Sequence, residues 1–262
     1  MFDHVLVARA QVLAHDVVSL AESVRPVDLA RDLRLPVLPA FDPLLPTSGL
    51  RRGTTAAIEA RPGVTGAASL ALALAAGASQ AGSWVAAVGL GTLGLAAAAE
   101  LGVALERLVV VADPGRERAG WASVVAALVD GFDVVLVAAG PSARRGGRLR
   151  AGDARRLVAR VRERGAVLVA VGGDLPGERS HLRLTVTSAA WQGLGDGWGH
   201  LQGRRVAVDA GGRGDAARGR RAELWLPGPD GRVTVADPIT VPIPLRPPAA
   251  GATGDRHAGA GT

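Results

Sequence analysis

Hydrophobic residues in the middle of the chain form short continuous runs, and segments of helical character separate them. The runs predict strands at residues 55–60, 84–88, 108–112, 133–138 and 166–171. The segments between them predict helices at residues 66–81, 92–101, 119–130 and 152–164. The runs VVLVA and VLVAV are apolar at every position, as in strands that are buried on both faces. The alternation therefore predicts an α/β fold with a mainly parallel sheet that helices flank.

The pattern changes after Gly172, where shorter apolar runs alternate with turn residues. LRLTVTSAAWQGL, RRVAVDAGG and RAELWLP predict antiparallel strands that extend the sheet. Beyond them Pro, Gly and Ala dominate, and this composition predicts a disordered tail at residues 236–262.

The first 35 residues precede the sheet and have a different periodicity. Apolar residues recur there at intervals of three and four, which predicts an amphipathic helix at residues 3–24. Four prolines between Pro36 and Pro46 then predict an extended connector. We therefore expect a helical segment with its connector at residues 1–48, followed by a core at residues 49–235.

The apolar side of the predicted N-terminal helix is larger than a solvated helix needs. We expect it to dock in a groove of a partner protein or of a second copy of the chain. The alternative is that the helix folds back on its own sheet. The predicted anchors are Val5, Val12, Leu13 and Leu20.

Composition limits the chemistry that is open to the chain. Its 262 residues contain no cysteine, which excludes a disulfide, a thiolate nucleophile and a cysteine-based zinc site. There is no lysine, so the net charge of +6 rests on arginine and favours nucleic acid or an acidic partner. We see neither a signal peptide nor a membrane span, because glycines interrupt the uncharged stretch at residues 66–99. We expect a cytoplasmic protein.

A strand, a glycine-containing loop and an alanine-rich helix follow one another between Thr54 and Ala81, as in a phosphate-binding loop. The signature G-x-x-x-x-G-K-[ST], with its second glycine at Gly66, places alanines at the lysine and hydroxyl positions. Ser69 comes one residue late and would point about 100° around the helix. The sequence thus predicts a vestigial phosphate loop without its chemistry. The loop comprises Arg61, Pro62, Gly63, Thr65, Gly66, Ala67, Ala68 and Ser69.

From Gly49 to Val233 the order of segments resembles the core of RecA-type recombinases. GLRRGTTAAIEARPGVTGAASLALALAAGASQAGSWVAAV is similar to its entry turn, first strand, phosphate loop, helix and second strand. LGVALERLVVV is similar to the segment that leads into its third strand, and FDVVLV to the strand that ends in the Walker B aspartate. LRLTVTSAAW and RRVAVDAGGRG resemble its late antiparallel strands. The resemblance implies a RecA-like P-loop core.

The chain departs from that family at the functional positions. Ala138 stands where the Walker B strand ends in aspartate, and Gly91 stands where the catalytic glutamate follows the second strand. An ATPase of this class needs a phosphate cradle, a magnesium anchor and a residue that orients water. We therefore expect a degenerate ATPase that is no enzyme and has neither cofactor nor metal.

A RecA-like core without ATPase residues, preceded by a helical segment, resembles the ImuA-type accessory proteins of actinobacterial mutagenesis cassettes. The resemblance implies a role in SOS-type translesion synthesis. It also implies contact with a Y-family polymerase relative (ImuB-like) or with RecA, and self-association is a further expectation. No catalytic residue is carried over.

A glycine motif supplies the main alternative. Gly89, Gly91 and Gly94 form G-x-G-x-x-G after a predicted strand, and Asp113 follows 19 residues after Gly94. A dinucleotide-binding fold uses this arrangement for the pyrophosphate and the ribose. A strand and a helix precede the motif, however, and no hydride-transfer site follows it. An NAD(P)- or nucleotide-binding protein remains the alternative, with tight glycine packing as the structural explanation.

Arginines cluster after the Walker B-like strand, at the predicted carboxyl edge of the sheet, where open α/β sheets bind ligands. They are candidate contacts for DNA phosphates, bound weakly and without sequence preference, or for an acidic partner. A solvated helix face is the alternative. The candidates are Arg144, Arg145, Arg148, Arg150, Arg155 and Arg156.

Overall fold

The computed structural model describes residues 34–91, 93–112, 118–140, 149–194 and 199–236. The predicted N-terminal helix, with Val5, Val12, Leu13 and Leu20, and the predicted tail beyond residue 236 lie outside these ranges. The strands are β1 (Arg34–Leu35), β2 (Leu50–Arg51), β3 (Thr55–Ala60), β4 (Val85–Val88), β5 (Leu108–Val111), β6 (Val134–Ala138), β7 (Val167–Val171), β8 (Leu182–Leu194), β9 (Gly199–Gly212), β10 (Arg220–Trp225) and β11 (Thr234–Val235). The helices are α1 (Ala67–Gln80), α2 (Leu95–Glu100), α3 (Arg118–Gly131) and α4 (Ala151–Arg164).

A nine-stranded sheet organises the described part of the chain, in the order β11-β10-β9-β8-β3-β7-β6-β4-β5. The six strands from β8 to β5 run parallel. On the other side, β9, β10 and β11 continue the sheet antiparallel. The predicted α/β fold with a mainly parallel sheet and added antiparallel strands is confirmed.

The central strands are apolar because both of their faces are covered. Every residue of β4, β6 and β7 is buried, which agrees with the continuous apolar runs. Helix α1 packs on β3, β7 and β6, while α3 and α4 pack on each other and on β6 and β7 respectively. Most of the core therefore lies against the parallel half of the sheet, and Val206, Val208 and Leu224 extend it to β9 and β10.

The connector before β3 is not extended as predicted. It forms a short 3-10 turn at Pro39–Phe41, and β1 pairs with β2 as a separate antiparallel ribbon. Phe41 and Leu44 are at most 1% exposed. The prolines end regular structure here, but the large apolar side chains between them are needed in the core, because α1 is rich in alanine. The connector is therefore part of the folded core.

No helix among the described residues is long and apolar enough to cross a membrane.

Candidate functional site

The predicted strand, loop and helix of the phosphate loop are all present. β3 ends at Ala60, the loop follows, and α1 begins at Ala67. Gly66 caps the helix with φ +122°, a backbone conformation that favours glycine. The first turn of α1 thus points its free N–H groups towards the loop, as a phosphate cradle requires.

An arginine from a distant strand occupies this loop. The Nη2 atom of Arg204, on β9, donates hydrogen bonds to the carbonyl oxygen of Thr65 (2.5 Å) and to Thr65 Oγ1 (2.8 Å). A Cβ atom added to Gly66 would lie 2.9 Å from the same Nη2. The guanidinium therefore lies directly against the turn that would hold a phosphate.

Arg204 is held there by its strand and by an aromatic neighbour. Its backbone N–H donates to the carbonyl of Pro227, and its carbonyl accepts from the N–H of Leu226. Trp191 is its register partner on β8, and the indole ring lies 5.7 Å from the guanidinium carbon. Backbone and ring together fix the side chain over the loop.

The electrostatic position of Arg204 is unusual. The residue is 7% exposed, its Nε has no hydrogen-bond partner, and no carboxylate of the described residues forms an ion pair with it. Burial lowers the pKa of the Arg204 guanidinium, since removal from water disfavours the charged form. A buried cation without a carboxylate partner among the described residues, next to a helix N-terminus, is therefore the main electrostatic feature of this loop.

The other functional positions of a RecA-type ATPase carry no reactive side chain here. Ala138 ends β6 and is 2% exposed, and Gly91 is exposed in the turn after β4. Ala67 and Ala68 begin α1, where Ser69 supplies a hydroxyl one position late. The loop can contact an anion through backbone N–H groups, and the four positions Ala67, Ala68, Gly91 and Ala138 supply neither a magnesium ligand nor a base.

The structure brings together a set of charged residues that the sequence analysis missed. Arg183 on β8 forms ion pairs with Glu59 (3.0 Å between Nη1 and Oε1) and with Asp174. Burial lowers the pKa of Arg183, but the bond to Glu59 and the charge of Asp174 outweigh it and raise the pKa above its usual value. The set holds two carboxylates against one guanidinium and so keeps a net charge of −1, and its ion pairs join β3, β8 and the loop after β7.

Of this set, Glu59 also belongs to a straight row of polar residues across one sheet face. The strand registers place Glu59, Thr185, Asp209 and Arg221 opposite one another on β3, β8, β9 and β10. Asp209 lies 3.6 Å from Arg221 and 3.8 Å from Arg61. We call these four residues the polar row. The polar row could have been found from one feature of the sequence, namely the alternation of polar and apolar residues in β8, β9 and β10. Such alternation indicates a sheet face without apolar cover.

The first glycine of the motif at residues 89–94 serves packing. Gly89 has φ +70°, and a Cβ atom there would collide with the indole of Trp121, so only glycine fits beneath this ring. Gly94 begins α2, which has six residues. Asp113, the predicted ribose contact, lies outside the described residues. The buried Trp121 occupies the space over Gly89 that a dinucleotide would approach.

Of the predicted arginine contacts, the structure describes Arg150, Arg155 and Arg156, whereas Arg144, Arg145 and Arg148 lie outside its ranges. Arg155 and Arg156 leave 80% and 86% of their side chains exposed, with ion-pair distances of 3.9 and 3.7 Å. Two other arginines of α4 are more firmly held, since Arg160 and Arg164 both bind Asp130 of α3. The start of α4 therefore keeps exposed and only loosely paired positive charge.

The comparisons with known proteins agree with this architecture. Residues 43–177 match the family described as MT3502 N-terminal domain. The uncharacterized protein Rv3395c of Mycobacterium tuberculosis is 36% identical over 155 residues, which cover 57% of this chain and 72% of that protein.

Two solved structures share the fold. A KaiC-like protein of Pyrococcus horikoshii OT3 aligns with a TM-score of 0.51 and 17% identity over 79% of this chain and 99% of its own. The RadB recombinase aligns with a TM-score of 0.51 and 16% identity over 76% of this chain and 97% of its own. The predicted RecA-like core is confirmed.

Proposed function

The chain belongs to the MT3502 N-terminal domain family, and from this premise and its RecA-like fold we propose that it is a non-catalytic accessory protein in DNA-damage tolerance. Its role is in SOS-type translesion synthesis and mutagenesis. It acts by contacting other proteins in the cytoplasm, either a Y-family polymerase relative (ImuB-like) or RecA. It does not hydrolyse ATP.

The position of Arg204 carries the non-catalytic part of the proposal. In a phosphate loop of this class a lysine and a hydroxyl next to the second glycine hold the phosphates and magnesium. Here alanines take both positions, and the Arg204 guanidinium lies 2.5 Å from the Thr65 carbonyl within the loop. The lysine and hydroxyl contacts are missing, and the guanidinium nearest the loop is bound to the loop's own Thr65, which supports a scaffold role over an ATPase role.

The polar row supports action through protein contacts. Helices cover the parallel half of the sheet, whereas Asp209 and Arg221 keep 39% and 65% of their side chains exposed on the antiparallel half. Arranged charges at an interface steer association and set partner choice. A partner with the complementary charge pattern therefore fits this face.

Complementation tests the proposal in an organism that carries the gene. Deleting the gene should lower damage-induced mutation frequency severalfold, and the wild-type chain should restore it. The variant Ser69→Ala should restore it equally, because it removes the hydroxyl that lies one residue after the hydroxyl position of the phosphate-loop signature. Asp209→Arg, which reverses one charge of the polar row, should restore it poorly at equal protein level.

Two results would contradict the proposal. One is an unchanged mutation frequency in the deletion strain, which removes the role in damage tolerance. The other is a magnesium-dependent ATPase activity of the purified full chain that Ser69→Ala abolishes, which makes the protein an enzyme.

A further inference from the structure

A cavity of about 190 Å³ lies at the edge of the sheet opposite to the phosphate loop. Thr54 before β3, Val167 at the start of β7 and Leu182 at the start of β8 line it. The three strands are parallel, so their amino ends meet at one edge. The β1–β2 ribbon and the turn after β9 complete the wall. The cavity is separate from every residue of the proposed function.

Three arginines line this cavity, namely Arg34, Arg51 and Arg213, together with one carboxylate, Asp215. Arg34 and Arg51 stand directly opposite each other in the β1–β2 ribbon. Like charges at opposed positions destabilise an antiparallel pair. None of the three arginines forms an ion pair with a residue that the structure describes. The wall therefore concentrates positive charge at some cost to stability.

His181 lies in the same wall and responds to this charge. Burial lowers its pKa first, and the positive charges of Arg213, Arg162 and Arg51 lower it further. Two backbone bonds hold the residue in place, because its N–H donates to the Thr55 carbonyl and its carbonyl accepts from the Arg213 N–H, both at 2.9 Å. The positive field is thus fixed to a rigid part of the sheet edge.

We propose that this cavity binds a small anion that carries a phosphate group, held by the guanidinium groups of Arg34, Arg51 and Arg213. Guanidinium forks match phosphate oxygens and form paired, charge-assisted hydrogen bonds. Three such groups against one carboxylate suit a ligand with more than one negative charge. The volume is below that of drug-sized sites. A pyrophosphate or a phosphorylated small acid suits this volume.

Calorimetric titration of the full chain with inorganic pyrophosphate at low salt tests the proposal. Saturable binding to one site is expected. The variants Arg51→Gln and Arg213→Gln should each weaken it about tenfold or more, because each removes a charge-assisted contact. Arg232→Gln is the matched control, since it removes the same charge from the turn between β10 and β11, outside the cavity. It should change the dissociation constant less than about twofold.

A second measurement needs no variant. In the wild-type chain, pyrophosphate should raise the pKa of the His181 imidazole, followed by NMR, because the ligand's negative charge offsets the arginine field. His200 lies outside the cavity lining and should not respond.

Three results would overturn the proposal. The first is no saturable binding of pyrophosphate or of inorganic phosphate at millimolar concentration, with His181 unaffected. The second is binding that Arg51→Gln and Arg213→Gln leave unchanged. The third is that the two variants abolish binding of a short DNA oligonucleotide while pyrophosphate does not compete with it. In that case the wall is a DNA contact.

Discussion

At the scale of single residues, Arg204 shows what periodicity can and cannot tell. It precedes Val206 and Val208 at intervals of two along β9, so alternation alone places it on the buried face. Its partner could not be predicted, because Thr65 lies 139 residues earlier and only the strand order brings the two together. A buried arginine in an otherwise apolar strand face was the available signal.

Replacing Arg204 by methionine tests the cost of this buried cation. Arg204→Met keeps most of the side-chain volume and removes a charge that has no carboxylate partner among the described residues. Thr65 is exposed, so water can satisfy the acceptors that are left. We expect the free energy of unfolding in urea to stay equal or to rise by up to about 2 kcal/mol. A loss of more than about 2 kcal/mol would show instead that the hydrogen bonds to Thr65 hold the loop in place.

His181 predicts a pH dependence of stability. Its pKa is lower in the folded chain than in the unfolded chain, because burial and then the charges of Arg213, Arg162 and Arg51 disfavour the imidazolium. Two further charged residues, Arg34 and Asp215, line the same cavity. The unfolded chain therefore binds more protons, and stability rises with pH from the lowered pKa up to about 6.5. Urea unfolding across this window gives the free energy of unfolding at each pH. Plotted against pH, this free energy should rise more steeply for the wild type than for His181→Gln. Equal slopes would contradict the prediction.

At the scale of elements, the strands that are buried on both faces were predicted most accurately. The predicted strand at residues 133–138 is observed at Val134–Ala138, and the one at residues 166–171 at Val167–Val171. The prediction of an extended connector was wrong, because prolines indicate only where regular structure stops. They do not indicate whether the side chains between them are buried. The helix predicted at residues 92–101 is shorter, at Leu95–Glu100, because Gly94 is its N-cap rather than part of it.

The contact between α3 and α4 supplies a prediction at this scale. Asp130 accepts two hydrogen bonds of 2.6 Å from Arg160 and a third of 3.1 Å from Arg164. The bond to Asp130 raises the pKa of Arg160. Because the geometry is bidentate and bridges two helices, Asp130→Asn should lower the free energy of unfolding by about 1 kcal/mol.

Asp153→Asn is the matched control on α4. Asp153 lies 3.7 Å from Arg156, an arginine with 86% of its side chain exposed, so its loss should cost less than about 0.5 kcal/mol. Denaturation of both variants by urea gives the comparison. Equal costs would mean that the bidentate geometry contributes nothing to the packing of α3 against α4.

At the scale of the whole molecule, the order of segments predicted the fold better than any single motif did. Each apolar run is short, but the predicted order along the chain, with parallel strands first and antiparallel strands after them, is observed in the sheet. The missing phosphate-loop and Walker B side chains can be read directly from the sequence, at Ala67, Ala68 and Ala138. What fills the phosphate loop was beyond prediction, since a guanidinium from β9 reaches it only in three dimensions. A missing side chain can thus be identified from the local sequence, whereas the distant group that lies near its position cannot.

The net charge of +6 belongs to the whole chain and favours binding to DNA. If the start of α4 contacts DNA phosphates, binding should be non-specific and fall steeply with salt. Replacing Arg150, Arg155 and Arg156 together by glutamine should then reduce the slope of log K against log salt by about one unit for each lost contact. Fluorescence anisotropy with duplexes of unrelated sequence measures both slope and specificity.

A control with the same loss of charge separates a local contact from the general field of a basic protein. Replacing Arg218, Arg220 and Arg232 by glutamine removes three charges from the antiparallel half of the molecule. If α4 is the contact, this control should weaken binding modestly and leave the slope nearly unchanged, because counterions are released only where phosphates are neutralised. If both triple variants lower the slope equally, DNA senses only net charge, and the arginines of α4 form a solvated face.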